Sequence, residues 1–254
     1  MTTPSTSHVL LIPSYNPGNL IISTVQEALA YWQPVWVVSD GSTDGSTKIL
    51  QKMSETNPHL KVFVLPFNQG KGAAVMEGLR QAKKEGFTHA LTMDADGQHP
   101  ATLIPHFMQI STQNPAAMIL GKPVFDDSAP QIRVQGRKIS NFLANLDTLW
   151  MGIGDCLYGF RVYPVVPLLN IMQKHRFMRR FDFDIEAVVR LCWGNIRPIN
   201  VDAPVKYLNA QEGGVSHFNY WRDNTLLTGM HIRLITECIL RLPLLLWRKY
   251  RQLK

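Results

Sequence analysis

Four short apolar runs, each breaking off into a loop of Pro, Gly, Asn and Asp and each followed by a helical pattern, constrain this chain more than anything else in it. Residues 8–12 stop at Pro13 and lead, past the turn Asn16-Pro17-Gly18, into a helical repeat over 19–32. Residues 35–38 (VWVV) lack polar alternation, as expected of a strand buried on both faces, and run into Asp40-Gly41-Ser42-Thr43-Asp44-Gly45 before a helix over 47–54. Residues 61–65 precede Asn68-Gln69-Gly70-Lys71-Gly72 and a helix over 73–84. Residues 89–93 precede Asp94-Ala95-Asp96-Gly97-Gln98 and a helix over 101–112, and a fifth run, 116–120, closes on Gly121-Lys122-Pro123. Strands and helices alternating at this spacing predict βα units and a mainly parallel sheet. Ligands of such sheets gather beyond the carboxyl ends of the strands, so the loops at 13–16, 40–45, 68–72 and 94–98 should converge on one edge.

After Pro123 the pattern loosens. A helix rich in base and amide is expected over 131–150, a glycine-punctuated loop over 151–161, then a helix to about residue 173, a helix over 183–193, a strand over 196–201 and a loop over 205–218. The tail, 221–250, has helical periodicity, with Arg233, Glu237, Arg241, Arg248 and Arg251 in a sector of about 80° and mostly apolar residues elsewhere. A wide apolar face beside a basic stripe fits a helix lying in a membrane interface, kinked at Pro243. The expected division is therefore 1–220 as the globular body and 221–254 as a C-terminal amphipathic helix.

Charge and cysteine content narrow the partners. A formal net charge of +7 over 254 residues suits an anionic partner: a phosphorylated substrate, a membrane surface or nucleic acid. Cys156, Cys192 and Cys238 are odd in number and far apart, which fits neither a disulfide framework nor a cysteine metal site and points to a reducing setting. The N-terminus lacks the basic start and apolar stretch of a signal peptide, and no apolar run reaches 18 residues. A cytoplasmic location, peripheral to the membrane, is the expectation.

Asp94 and Asp96 stand at spacing two where a strand ends, so both carboxylates can approach one divalent cation, and Gln98 at the same spacing adds a neutral oxygen. Such hard oxygen ligands suit Mg²⁺ or Mn²⁺, which share their shell with water and substrate phosphate. The alternative is an ordinary polar turn at Asp96-Gly97. Asp40 can accept hydrogen bonds from a base or ribose, or cap the next helix. Lys71, between two glycines, can reach a phosphate or simply face solvent.

In order and spacing, IPSYNP, VVSDGSTDGS, FNQGKGAAVMEG and TMDADGQHP resemble the glycosyltransferase family 2 enzymes of GT-A fold. DADGQHP, the GK that follows, DCLYGFRVYP and GGVSHF are most similar to the dolichyl-phosphate-mannose-synthase-like branch, and the resemblance covers about residues 8–218. It implies a mixed, mainly parallel Rossmann-like sheet flanked by helices. It also implies that Pro13, Tyr15, Asp40 and Asp94 surround the nucleoside of a nucleotide-diphosphate sugar, with Asn16, Gly41, Ser42 and Ala95 in the same donor site. Asp96 and Gln98 would hold the Mg²⁺ or Mn²⁺ on the diphosphate, with His217 as a further candidate, and Lys71, Lys122 and Arg161 would serve the phosphates.

Inverting transfer also needs a carboxylate near the acceptor, for which Asp155 is the candidate and Asp182, Asp184 and Glu186 are rivals. Lysines at 122 and 206 stand near positions where polyprenyl-phosphate relatives commonly carry arginine; they keep the charge but lack the bidentate fork. No QxxRW motif of processive synthases is present, which favours transfer of one sugar. The acceptor implied is a lipid or other amphiphile at a membrane surface. Two other readings stand beside this one. A nucleotidyltransferase usually shows a Gly-rich basic loop after its first strand, where this chain has PSYNPGN, and a basic nucleic-acid-binding module would leave the aspartates unused, so nucleic acid is not the expected partner.

Overall fold

A computed structural model describes residues 3–125, 131–205 and 220–252. Among these residues, seven strands form one sheet in the order β3-β2-β1-β4-β6-β5-β7. The first half alternates as expected: β1 (His8–Ser14), α1 (Leu20–Tyr31), β2 (Val35–Ser39), α2 (Ser46–Thr56), β3 (Leu60–Val64), α3 (Lys71–Lys84) and β4 (His89–Thr92). The strands β1, β2, β3 and β4 pair in parallel. The chain adds β2 and β3 on one side of β1 and β4 on the other, so the strand order reverses between β1 and β4 and opens a crevice at their carboxyl ends.

Every residue of β1 is buried. Its side chains alternate between two cores: Val9 and Leu11 join the cluster under α3 and α7, and Leu10 and Ile12 join the cluster under α1 and α4. Burial on both faces is why this strand and VWVV read as continuous apolar runs. Each such side chain contributes roughly 1.5–3 kcal/mol through burial, which makes the sheet a rigid base for the loops that leave it.

In the second half, α4 (Ile104–Gln113) leads to β5 (Met118–Val124) and α5 (Gln131–Asp147). Next come β6 (Arg161–Pro164), α6 (Val165–Lys174), α7 (Asp182–Trp193), β7 (Pro198–Pro204) and α8 (Tyr220–Gln252). The strand β6 was not expected, since its residues were assigned to the end of a loop and the start of a helix. It runs antiparallel to both β4 and β5, making the sheet mixed, while β5 and β7 pair in parallel. The helix α5 stops at Asp147 rather than Trp150, because Leu149 and Trp150 turn to positive φ (51° and 60°) and the Asn145 side chain bonds both the N–H and the carbonyl of Ile153.

The helix α8 takes an orientation that its periodicity left open. Its charged stripe faces the body: Arg233 donates to Glu186, Arg190 of α7 donates to Glu237, and Arg248 donates to the Trp193 carbonyl. Met230, Leu234, Cys238 and Leu245 complete that inner side within the core under α7. The outward side carries the apolar residues, Ile239 at 65% and Leu240 at 78% exposure among them. The helix continues through Pro243 as one element, and no described helix is long and apolar enough to cross a membrane.

Candidate active site

The crevice predicted from topology is a cavity of about 620 Å³. Pro13, Ser14, Tyr15 and Pro17 line it from the end of β1, Asp40 from β2, Asn68, Gly70, Lys71 and Ala74 from the β3–α3 turn, and Asp94, Ala95, Asp96 and Gln98 from β4. The opposite wall consists of Arg180 and Phe181, just before α7, and Arg222 at the start of α8.

The loops reach this place because they are bonded to one another. Both oxygens of Asp40 accept backbone N–H groups, from Gln69 at 2.8 Å and Gly70 at 2.7 Å, so this buried carboxylate fixes the turn that presents Lys71. Asn16 and Ser42 clasp the first two loops: the Asn16 N–H donates to Ser42 Oγ, and the Thr43 N–H donates to Asn16 Oδ1. Gly41 packs against the backbone of Phe67 and Asn68, leaving no room for a β-carbon. Asn16, Gly41 and Ser42 therefore shape the wall without lining the cavity.

Lys71 opens α3, and its ammonium sits 2.8 Å from Asp94 Oδ1 and 2.9 Å from Asp184 Oδ2. Burial alone would lower the lysine pKa, but Asp184 and then Asp94 outweigh it and hold the ammonium above the ordinary lysine range. Burial likewise opposes ionisation of Asp94, yet Lys71 and His99 keep its carboxyl well below the usual carboxylate range. His99 Nε2 lies 3.2 Å from Asp94 Oδ2, with its ring against Tyr158 and Phe160. Gly159 faces Asp94 so closely that a β-carbon there would collide with the carboxylate. Asp94 is thus held on three sides.

Asp96 is in the opposite state. Burial, and then the charge of neighbouring Asp94, raise its pKa, while its Oδ1 accepts the Gln98 N–H at 3.1 Å. Asp94 and Asp96 thus stand as two carboxylates in one half-buried corner, with Lys71 bonded to Asp94, and the other cations lining the cavity, Arg180 and Arg222, stand on the opposite wall.

The remaining expected residues lie elsewhere. Arg161 is fully buried and donates to the Tyr158 carbonyl, the Tyr163 hydroxyl and the Asp184 carbonyl, so its guanidinium ties β6 to α7 instead of reaching the cavity. Lys122 is on the surface of β5, 3.4 Å from Asp202 of the adjacent strand. Asp155 is buried and accepts from Arg137 (2.7 Å), Asn141 and the N–H groups of Leu157 and Tyr158, which anchors the glycine-punctuated loop to α5. His217 and Lys206 fall outside the described residues.

Of the rival carboxylates, Asp182 accepts the N–H groups of Met178 and Arg180, Glu186 is sealed among arginines, and only Asp184 touches the cluster at the cavity, through Lys71. Sequence reasoning missed Arg180, Phe181 and Arg222. The pair Arg179-Arg180 before FDFD was the available signal for the first; nothing local marks Arg222.

Comparison with known proteins identifies the family. The model for "Glycosyl transferase family 2" matches residues 9–171. The chain is 24% identical over 196 residues to a UDP-N-acetylglucosamine--dolichyl-phosphate N-acetylglucosaminyltransferase of Methanococcus voltae, covering 71% of this chain and 78% of that one. It is 26% identical over 168 residues to a polyprenol monophosphomannose synthase of Mycolicibacterium smegmatis, covering 63% and 62%. A dolichyl-phosphate β-glucosyltransferase of Trichomonas vaginalis matches at 30% over 44% of this chain, and the chain spans only 36% of that relative's length.

Among solved structures, glucosyl-3-phosphoglycerate synthase of Mycobacterium tuberculosis, in complex with Mn²⁺ and UDP-glucose, superposes with a TM-score of 0.63 at 15% identity, over 92% of this chain and 79% of that one. That likeness establishes the GT-A architecture. With strand-end loops gathered on one cavity at the reversal of the sheet, and a family model spanning those strands, the chain belongs to glycosyl transferase family 2 and is a glycosyltransferase.

Proposed function

We infer that the protein is a metal-dependent, inverting glycosyltransferase that moves one sugar from a nucleotide-diphosphate donor to a lipid-linked or other amphiphilic acceptor at the cytoplasmic face of a membrane. The observation that carries this reading is the convergence of Asp40, Asp94, Asp96 and Lys71 on one cavity at the carboxyl ends of β1 to β4. In this reading residues 1–220 form the catalytic domain and 221–254 an accessory helix. Nucleic acid has no role in it.

Pro13, Tyr15, Asp40, Asp94 and Ala95 surround the nucleoside, and the shape of that wall is set by Asn16, Gly41 and Ser42. The donor set fits a divalent cation: Asp96 is a carboxylate whose pKa is raised by burial and by Asp94, and Gln98 lines the same corner. Among the described residues no three His, Cys, Asp or Glu side chains converge as a metal cluster, so the ligand set is one that diphosphate oxygens and water complete. Mg²⁺ or Mn²⁺ held by Asp96 and Gln98, with His217 as a further ligand, would offset the charge that develops on the departing nucleoside diphosphate.

Arg180 and Arg222 face the cavity from the far wall and receive the diphosphate, a role expected earlier of Arg161 and Lys122. Lys71 acts one step back, orienting Asp94. On the acceptor side, every carboxylate lining the cavity among the described residues has a use: Asp40 on backbone N–H groups, Asp94 on Lys71 and His99, Asp96 for the metal. An acceptor that is already ionised, such as a lipid phosphate, needs no base, which matches the dolichyl phosphate in the names of the Methanococcus and Trichomonas relatives. Asp155, proposed for the acceptor side, contributes by anchoring the glycine-punctuated loop to α5 through Arg137 and Asn141.

The test is turnover and binding across UDP-, GDP- and other nucleotide sugars with Mn²⁺ and Mg²⁺. Metal-dependent binding of one donor, lost in Asp96→Ala, is the expected result. Absence of binding across the panel defeats the reading, and unchanged donor affinity in Asp96→Ala removes the ligand assignment.

A further inference from the structure

The helix α8 is inverted relative to an ordinary surface helix, which buries its apolar side and shows its charges to water. Here Arg233, Glu237 and Arg248 bond to α7, while Ile232, Ile239, Leu240, Leu246, Trp247 and Tyr250 are exposed. Ile232, Thr236, Ile239, Pro243, Leu246 and Tyr250 succeed one another at intervals of three or four residues and form a strip without a charge. At 1.5 Å per residue it is about 27 Å long. Single exposed apolar residues need no explanation, but a contiguous strip of this kind marks a surface that something covers.

Beside its C-terminal end lies a second cavity of about 240 Å³, lined by Thr148 to Met151, Leu245 and the cations Arg197, Arg248 and Lys249, with no acidic residue in its lining. Arg248 and Lys249 each give one bond to a backbone carbonyl, Trp193 and Leu149, and keep other donors available. On its rim the backbone is held in the left-handed region at two successive non-glycine residues, Leu149 and Trp150. Such strain persists only where the surroundings enforce it, and its result here is an indole held outward beside the cations, 57% exposed. Phe142, edge-on to Trp150 at 5.9 Å, and Leu146 extend the apolar surface onto α5.

An uncharged strip next to a cationic cleft, with Trp and Tyr at its end, has the chemistry of a bilayer interface. A second copy of the chain fits less well. A two-fold pairing sets one uncharged strip against another, and the acids of α8, Asp223 buried and Glu237 bonded to Arg190, offer the cleft cations of the other copy no partner. We propose that the outward face of α8, with Trp150 beside it, rests on an anionic phospholipid bilayer, and that the Arg197, Arg248 and Lys249 cleft takes a lipid headgroup phosphate. The proposal rests on the membrane-face reading above and names the surface and lipid class that reading lacks.

The experiment is flotation of the full chain with vesicles of phosphatidylcholine alone and of phosphatidylcholine mixed with phosphatidylglycerol. The wild-type protein should float with the mixed vesicles, less so at high salt, and poorly with phosphatidylcholine alone. Ile239→Ser/Leu246→Ser/Trp247→Ser, all at exposed positions, should abolish flotation. Arg197→Gln/Lys249→Gln should lower partition onto the mixed vesicles by roughly 5-fold per cation and leave the phosphatidylcholine result unchanged.

Wild-type protein that floats with neither vesicle overturns the proposal, as does a serine variant that floats like wild type. An arginine-lysine variant that partitions like wild type overturns the headgroup cleft. A wild-type dimer in sedimentation that the serine variant dissociates assigns the strip to a second copy. Donor binding without vesicles, measured in parallel, should be the same in all three proteins; its absence from wild type would count against the glycosyltransfer reading and not against this surface.

Discussion

At the donor cavity, Lys71 meets Asp94 at 2.8 Å and Asp184 at 2.9 Å, with Asp96 beside them. Between α7 and α8, Arg190 meets Glu186 at 2.7 Å and Glu237 at 2.6 Å, while Arg233 takes the other oxygen of Glu186 at 2.5 Å. The bonds are alike, and the balance is not. The cavity cluster sets three carboxylates against one lysine, whereas the helix cluster sets two against two arginines, with Arg241 near Glu237 as well. Charge compensated inside the protein calls for no ligand. At the cavity Asp96 forms no ion pair among the described residues, with Arg180 and Arg222 on the opposite wall, and that open arrangement, unlike the closed helix cluster, has room for a ligand.

Four changes test the contrast. Asp96→Ala at the cavity cluster should leave folding intact and abolish metal-dependent donor turnover by on the order of 10³-fold, measured as kcat/KM at saturating Mn²⁺. Glu186→Gln at the compensated cluster should do the reverse: it leaves Arg190 with Glu237 alone and takes the carboxylate from Arg233, at a cost of about 3–5 kcal/mol, or roughly 10 °C in Tm, while donor affinity of the folded fraction is kept. Equal loss of stability in both variants would erase the distinction.

Lys71→Gln joins the two behaviours. If Lys71 orients Asp94, turnover should fall about 10–100-fold with donor KM little changed; a KM effect alone would return the lysine to the phosphates. The smallest effect belongs to neither cluster. Burial, and then the neighbouring His89, push the His8 pKa down to about 4, and the two rings stack at 4.6 Å. The unfolded chain therefore binds the extra proton below its ordinary value of about 6.5, so this pair's stability is present above that pH and lost as pH falls toward 4. His8→Gln should flatten the Tm profile over that interval, and an unchanged slope would exclude His8 as its source.

The sheet's first half was legible because β1, β2 and β4 are buried on both faces and their loops carry their own turn chemistry. β6 was not, because four residues after a glycine-rich run carry no period, and its place between β4 and β5 depends on pairing with distant strands. In α8 the periodicity located the charged stripe but not its direction, which is set by Glu186 and Arg190, each 47 residues from its partner in that helix. The same limit applied at the site. DADGQ placed Asp94, Asp96 and Gln98 together, while the partner that fixes Lys71 lies in FDFDIE, and the fate of Asp155 depends on Arg137 and Asn141.

The Lys71–Asp184 link spans 113 residues, and this sets a schedule for synthesis. At 5–20 residues per second, Asp184 leaves the ribosome about 6–23 s after Lys71. In that interval the first four strands are complete but the lysine has only Asp94, and the turn before α7 that packs on Gly70 and Gly72 has not been made. A nascent chain ending in α5 or α6 would thus carry most of the donor wall in an unfinished form. The last third of the message decides when the first third becomes competent.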